Sequence, residues 1–252
     1  MNPRGQGDGE KSLGKPLAGK VVLVTGGNRG IGKAIAWKLA LLGADVGICG
    51  RDEESLLRAA SEIESAGVRV HAQKANVTRN HDVAALVQTT EKKIGPIAVL
   101  VNNAGIGLFG PVQVHSEEDW DRVLDTNLKS VFLVTRAVVP GMIARKSGDI
   151  INISSLAGKH TFAGGAIYCA AKWGLQGLTG CMAEDLRGFG IRVSAICPGS
   201  VATDFAGRGP KDPTKLLTAE DVAYAVGMVV LQGPQSFISE VQLRPVGKPG
   251  TT

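Results

Sequence analysis

Short apolar runs alternate with longer amphipathic stretches along this chain. VVLVT (21–25), ADVGICG (44–50), VRVHAQKA (68–75), IAVLVNNAG (97–105), GDIINIS (148–154), IRVSAI (191–196) and FISEVQL (237–243) each read as a strand. Between them lie helical patterns. Ile31, Ile35, Ala36, Leu39 and Leu42 share one face; 51–67 ends at Gly67; 81–95, 166–186 and 218–231 complete the set with a long apolar stretch from 116 to about Ala144. Ser116 is the expected cap of that stretch, with Asp119 at the capping-box position. Continuous apolar strands require a sheet covered on both faces. Right-handed crossovers then predict an α/β fold of the Rossmann type: one doubly wound, seven-stranded parallel sheet of order 3-2-1-4-5-6-7, with helices on both faces.

A length of 252 residues suits one such domain. Residues 1–19 are charged, Gly-rich and aperiodic and read as a disordered tail, leaving 20–252 as the catalytic domain. The stretch 205–217 is the long aperiodic interior segment and is the expected lid. Aromatics are scarce at 4%, which argues against a stacking platform. The net charge of +5 contains no dense Lys/Arg run, so nucleic acid is not an expected partner. No run approaches 18 apolar residues, so no membrane partner is expected either. Cys49, Cys169, Cys181 and Cys197 lack metal or disulfide spacing, as do the four histidines. The expectation is a metal-free protein of the reducing cytoplasm.

TGGNRGIG (25–32) joins the first strand to the first helix. Gly26, Asn28, Arg29, Gly30, Ile31 and Gly32 would bring backbone N–H groups and the positive helix terminus against phosphate. Tyr168 and Lys172 stand four apart on a predicted helix and share a face. A nearby ammonium favours a phenolate. Bringing a phenol near neutrality takes about 4 kcal/mol, more than one solvated lysine supplies, so exclusion of water must contribute. Ser155 ends the fifth strand, where its hydroxyl can donate to a carbonyl; Ser154 is its rival, on the alternate face.

The spacing TGxxxGIG resembles the short-chain dehydrogenase/reductase family, over roughly residues 18–245. Asn102-Asn103-Ala104-Gly105 matches its NNAG motif, Asn127 its active-site Asn, Ser155, Tyr168 and Lys172 its Ser and YxxxK. Pro198-Gly199, with Val201 and Thr203 following, matches the elements that meet the nicotinamide. The resemblance implies hydride transfer between a nicotinamide cofactor and a carbonyl or secondary alcohol, Tyr168 giving or taking the proton. It further implies that Lys172 binds the nicotinamide ribose and that Asn127 holds a water linking Lys172 to solvent. Asn76-Val77 stands where the family has Asp-Val against the adenine; an Asn retains donor and acceptor.

An acidic residue at the end of the second strand would bind ribose hydroxyls. Here Gly50 and Arg51 stand there, and Arg51 with Arg29 can clasp a 2′-phosphate, so NADP(H) is the expected cofactor; Asp52 is a competing partner for Arg51. His160 can face substrate or solvent. The resemblance is to 3-oxoacyl-acyl-carrier-protein reductases, which implies a ketone or 3-oxoacyl thioester substrate, free or borne on a carrier protein. An alcohol, sugar or steroid dehydrogenase and a non-catalytic NADP(H)-binding scaffold are the alternatives. The small and apolar residues of 166–186 exceed what one sheet face can hide, and the resemblance implies that this helix and its predecessor pair with a twofold mate in a homodimer or homotetramer, although the chain lacks the family's common VDGG ending.

Overall fold

The structure, a computed structural model, describes residues 15–205 and 215–247. The apolar runs form strands β1 (Val21–Thr25), β2 (Asp45–Gly50), β3 (Val70–Lys74), β4 (Ile97–Asn102), β5 (Gly148–Ile153), β6 (Ile191–Pro198) and β7 (Glu240–Leu243). Every residue of β1 is buried, as a central strand covered on both faces must be. All pairings are parallel and the order is β3-β2-β1-β4-β5-β6-β7, as the alternation predicts.

Helices α1 (Gly30–Leu41), α2 (Glu53–Glu64) and α7 (Ala219–Val230) cover one face. Their side of the core is built on Ile35, Leu39, Ile48, Ile63 and Val226. Helices α3 (Asn80–Ile94), α5 (Ser130–Arg145) and α6 (Ala166–Arg187) cover the other, around Leu23, Leu86, Leu100, Met142 and Ile150. Helix α4 (Glu117–Leu124) leads into α5 through a π-helical turn, Asp125–Lys129. The whole run Glu117–Arg145 is 29 residues, long and apolar enough to cross a bilayer by length and composition. In this fold its inner face, including Leu133, Val134, Val138 and Met142, is buried in the sheet's core.

Two expectations change, and the tail expected over residues 1–14 lies outside the described residues. Residues 15–19 belong to the domain: Leu17 is buried, its N–H bonds to the Leu42 carbonyl at 2.9 Å, and Lys15 Nζ donates to Ala66 O at 3.0 Å. Composition hid this because one apolar residue anchors the segment. Ser116 does cap α4, accepting from Asp119 N–H at 3.2 Å, but the Asp119 carboxylate turns to His115 and Arg122, both 3.6 Å away. The reciprocal capping box is at α7, between Thr218 and Asp221. The proposed lid falls mostly outside the described residues; its last residue, Leu217, forms a parallel bridge with Val201.

Candidate active site

The sheet order reverses between β1 and β4, so their carboxyl ends part to leave a crevice. Side chains stitch its floor. Thr25 Oγ1 accepts from Asn103 N–H and Ala104 N–H at 3.0 and 3.1 Å, and Asn103 Nδ2 donates to Thr25 O and Gly26 O at 2.9 and 3.2 Å. Beneath, Asn102 Nδ2 donates to Thr135 Oγ1 and Asn152 Oδ1, and Asn152 Nδ2 to Thr179 Oγ1, tying β4 and β5 to α5 and α6. The crevice opens into a cavity of about 1920 Å³.

At one end the cavity meets the glycine turn. A Cβ on Gly32 would lie 2.2 Å from Gly26 O and 2.4 Å from Asn103 Nδ2, so only glycine lets the helix approach the strand end this closely. Helix α1 starts here with no acidic residue in its first turn and no side-chain cap, leaving its N–H groups and positive pole facing the cavity. A dinucleotide's phosphates fit such a cradle. Beside it, Asn28 Nδ2 donates to Ser55 Oγ at 2.9 Å and lies over Gly50, where a Cβ would meet Asn28 Oδ1 at 2.7 Å. The rivalry between Asp52 and Arg51 resolves: Asp52 caps α2 through Ser55 N–H at 2.9 Å, and those hydrogen bonds hold its carboxyl below the usual range. Arg29 and Arg51 are exposed on the cavity wall, and no carboxylate among the described residues pairs with either. Asn76 also lines the wall, but its Oδ1 accepts from Thr78 N–H and Oγ1 at 3.1 and 2.9 Å, leaving the amide N–H for an adenine.

At the other end stand Ser155, Tyr168 and Lys172. The N-terminal half of α6 carries Tyr168 and Lys172 on its buried face, and Lys172 Nζ lies 5.8 Å from the centre of the Tyr168 ring. Lys172 Nζ donates to Ile153 O at 2.9 Å. Ser155 caps the 3-10 turn Leu156–Gly158, accepting from Ala157 N–H at 3.1 Å, and hydrogen-bonds the Tyr168 hydroxyl. Ser154, the rival, is buried, its hydroxyl has no hydrogen-bond partner among the described residues, and it lines the same cavity. Burial, only partly offset by the Ser155 hydrogen bond, pushes Tyr168 up to about 12. Burial pulls Lys172 down to about 8. The phenol therefore moves opposite to the direction that the Tyr–Lys spacing suggests, because desolvation of two buried groups outweighs their mutual attraction.

Every residue that the sequence placed in the site lines this cavity except Asn127. Asn127 sits in the π turn, 1% exposed, behind the wall. Its Oδ1 accepts from Ile106 N–H and its Nδ2 donates to Ile106 O, both at 2.8 Å. It clamps the loop after β4; the side-chain groups that would hold a water are engaged with that backbone. Sequence reasoning missed Thr25, Ser55 and three phenylalanines. Phe109 and Phe205 stack edge-on to Tyr168 at 5.3 and 5.9 Å, and Phe162 meets Phe109 at 5.9 Å. Overall scarcity concealed this local aromatic wall; their placement after motif residues was the available signal. Among the described residues no cluster of His, Cys, Asp or Glu is arranged to hold a metal.

This sheet, cradle and Ser–Tyr–Lys group define a nucleotide-binding oxidoreductase architecture. The sequence model of the short chain dehydrogenase family matches residues 20–213, and the chain belongs to that family. It is 43% identical over 227 residues to a 3-oxoacyl-acyl-carrier-protein reductase of Synechocystis, covering 90% of this chain and 89% of that one. It is 32% identical over 244 residues to glycine betaine reductase ATRR of Emericella nidulans, covering 93% of this chain but only 19% of that longer protein. Among solved structures, a metagenomic short-chain oxidoreductase in complex with NADP superposes with a TM-score of 0.82 at 42% identity, over 92% of this chain and all (100%) of that one.

Proposed function

We propose that this protein is an NADP(H)-dependent reductase of ketones or 3-oxoacyl thioesters. One observation carries the reading: a single cavity runs from the glycine cradle and two arginines, neither paired with a carboxylate among the described residues, to the Ser155–Tyr168–Lys172 group. The cofactor supplies the hydride. Arg29 and Arg51 would take its 2′-phosphate by charge-assisted hydrogen bonds, Gly26 to Gly32 its pyrophosphate, the Asn76 amide and Val77 its adenine end. Asn103, Ala104 and Gly105, with Pro198, Gly199, Val201 and Thr203, would flank the nicotinamide end. The relative that binds NADP and the reductase from Synechocystis support both halves of the reading.

Ser155 would hold the substrate carbonyl and stabilise the developing oxyanion. Tyr168 would deliver the proton. A phenol pushed up to about 12 keeps its proton at neutral pH, which suits an acid in reduction better than a base in oxidation. Lys172 would hold the ribose and the phenol's electrostatic environment, and Asn127 would position the loop against which the cofactor lies. Trp120, Phe132 and Trp173 on α4, α5 and α6 are exposed aromatics of the kind that a symmetric oligomer would cover. The four cysteines are free, in keeping with a reducing compartment.

The test is steady-state oxidation of NADPH with a panel of 3-keto esters and 3-oxoacyl thioesters. Turnover that depends on the ketone and prefers NADPH over NADH is expected. Cofactor binding without turnover of any ketone or alcohol would establish the scaffold alternative instead.

A further inference from the structure

The substrate end of the cavity holds a cation that the proposed hydride transfer does not use. Arg244 follows β7 directly. Gly199 N–H bonds to Leu243 O at 2.8 Å, and a Cβ on Gly199 would lie 3.2 Å from Pro245 Cδ, so the residue between them stands beside the Pro198-Gly199 wall. Ser155 Oγ reaches Pro198 O at 3.5 Å on the same wall. Arg244 lines the cavity with Ser155 and Tyr168.

What holds the guanidinium is a ring nitrogen. Arg244 Nη2 lies 3.1 Å from His160 Nε2, a contact across 84 residues of sequence. A guanidinium only donates, so Nε2 is the acceptor in this contact. The nearby carboxylate, Glu240, is engaged by Lys159 at 2.6 Å and by Gln242. Among the described residues Arg244 has no carboxylate partner. It is therefore positioned without being neutralised, as an anion-binding group is. The loop that supplies His160 is itself braced, His160 N–H bonding to Leu156 O at 2.9 Å beside the Ser155 turn. Two residues on, Phe162 joins the aromatic wall around Tyr168.

We infer that Arg244, set by His160, is a specificity residue that selects carbonyl substrates carrying an anionic group, with the Phe109–Phe162–Phe205 wall taking their apolar part. This rests on the reductase reading and names its substrate class. The anion is a carboxylate on the ketone itself or a phosphate on a carrier arm, and the two are separable by assay.

Two matched pairs make the test: 4-acetylbenzoate against its methyl ester, and 3-oxobutanoyl-phosphopantetheine against 3-oxobutanoyl-pantetheine. The native enzyme should prefer the anionic member of at least one pair by kcat/KM. Arg244→Gln should cut that preference about tenfold through KM, the neutral member and the KM for NADPH staying level, while Arg244→Lys retains part of it. The pair that responds identifies the anion. The neutral members report whether the variant still folds. Neutral substrates turned over with no anion preference in either pair, or a preference that survives Arg244→Gln, would overturn the inference and leave the reductase reading standing. A raised KM for NADPH would instead assign Arg244 to the cofactor and overturn it too. No turnover of any ketone by the native enzyme would overturn both.

Discussion

Replacing Asn127 separates a structural clamp from a direct part in the chemistry. The side chain is 1% exposed and makes two hydrogen bonds of 2.8 Å to one peptide group pair, the N–H and C=O of Ile106. Asn127→Ala removes both partners at once. Each net bond is worth about 1 kcal/mol, and each orphaned buried group costs a further ~1 kcal/mol where water cannot reach it. Ile106 is half-buried, so water relieves part of that loss, and a destabilisation of about 2–4 kcal/mol is expected. That is a large share of a typical domain's stability.

Asn127→Asp sharpens the test. The introduced carboxyl would face the Ile106 carbonyl where an amide N–H now donates, and it would be buried. Both effects favour its neutral, proton-donating form, so its folded pKa is raised above the unfolded value near 4. The folded protein then binds a proton that the unfolded chain releases. Stability relative to the native sequence is greatest at low pH and falls by about 1.4 kcal/mol per pH unit until the raised pKa is passed. Urea unfolding followed by circular dichroism between about pH 5 and 8 measures both. An Asn127→Ala loss below about 1 kcal/mol, or an Asn127→Asp stability that rises with pH relative to the native chain, would refute the clamp.

Gly32→Ala should lower the melting temperature and abolish cofactor binding, because its Cβ would fall 2.2 Å from a backbone oxygen that cannot yield locally; an unchanged melt would count against the close approach. Arg51→Asp should lower the NADPH to NADH ratio of kcat/KM by about tenfold or more, and a ratio unchanged in that variant would remove the arginine clasp from the cofactor argument. Tyr168→Phe should cut kcat by about 10²–10⁴ with NADPH affinity kept, since Phe109 and Phe205 hold the ring in place; turnover near native would exclude Tyr168 as the acid. Lys172, pulled from 10.5 to about 8, gives up its proton in the folded state before the unfolded chain does, so stability of the cofactor-free protein should rise with pH from about 8. The buried Cys49 and Cys197 thiols, both pushed up by desolvation and Cys49 to about 11, oppose this above about pH 9, and Tyr168 does so above about pH 10, so Lys172→Met should flatten a rise confined to about pH 8–9 in a denaturation series.

The parts of this molecule that follow from local pattern were legible in the chain. A strand buried on both faces must be largely apolar, and β1 and β4 read so up to the polar Thr25 and Asn102 at their carboxyl ends. The cradle was legible because strand, glycines and helix are contiguous, and Tyr168 and Lys172 because four residues make one helical turn. What depends on partners far apart in sequence was not. Nothing near Asn127 announces Ile106, and a π turn inside a long helix leaves no compositional mark. The Arg51–Asp52 ambiguity was insoluble from order alone; Ser55 decides it by occupying the carboxylate. The aromatic wall joins residues of three loops, and the ring partner of Arg244 lies 84 positions away.

The phenol shows why proximity in sequence is a poor guide to electrostatics. Spacing gives Tyr168 and Lys172 a common face, and a charge 5.8 Å from the ring centre is worth about 3 kcal/mol in an effective dielectric of about 20. Desolvating a fully buried ionisable group costs as much as about 4–7 kcal/mol. The ammonium lies 5.8 Å from the ring centre and gives one of its three N–H groups to Ile153 O, a carbonyl that competes with the phenol oxygen for it. Burial wins, and the resting site holds a protonated phenol with Ser155 hydrogen-bonded to its hydroxyl. A lysine pulled to about 8 remains largely charged at neutral pH. The two groups whose spacing suggests a phenolate therefore leave the phenol protonated beside a charged lysine, the state that the proposed role of Tyr168 as proton donor requires.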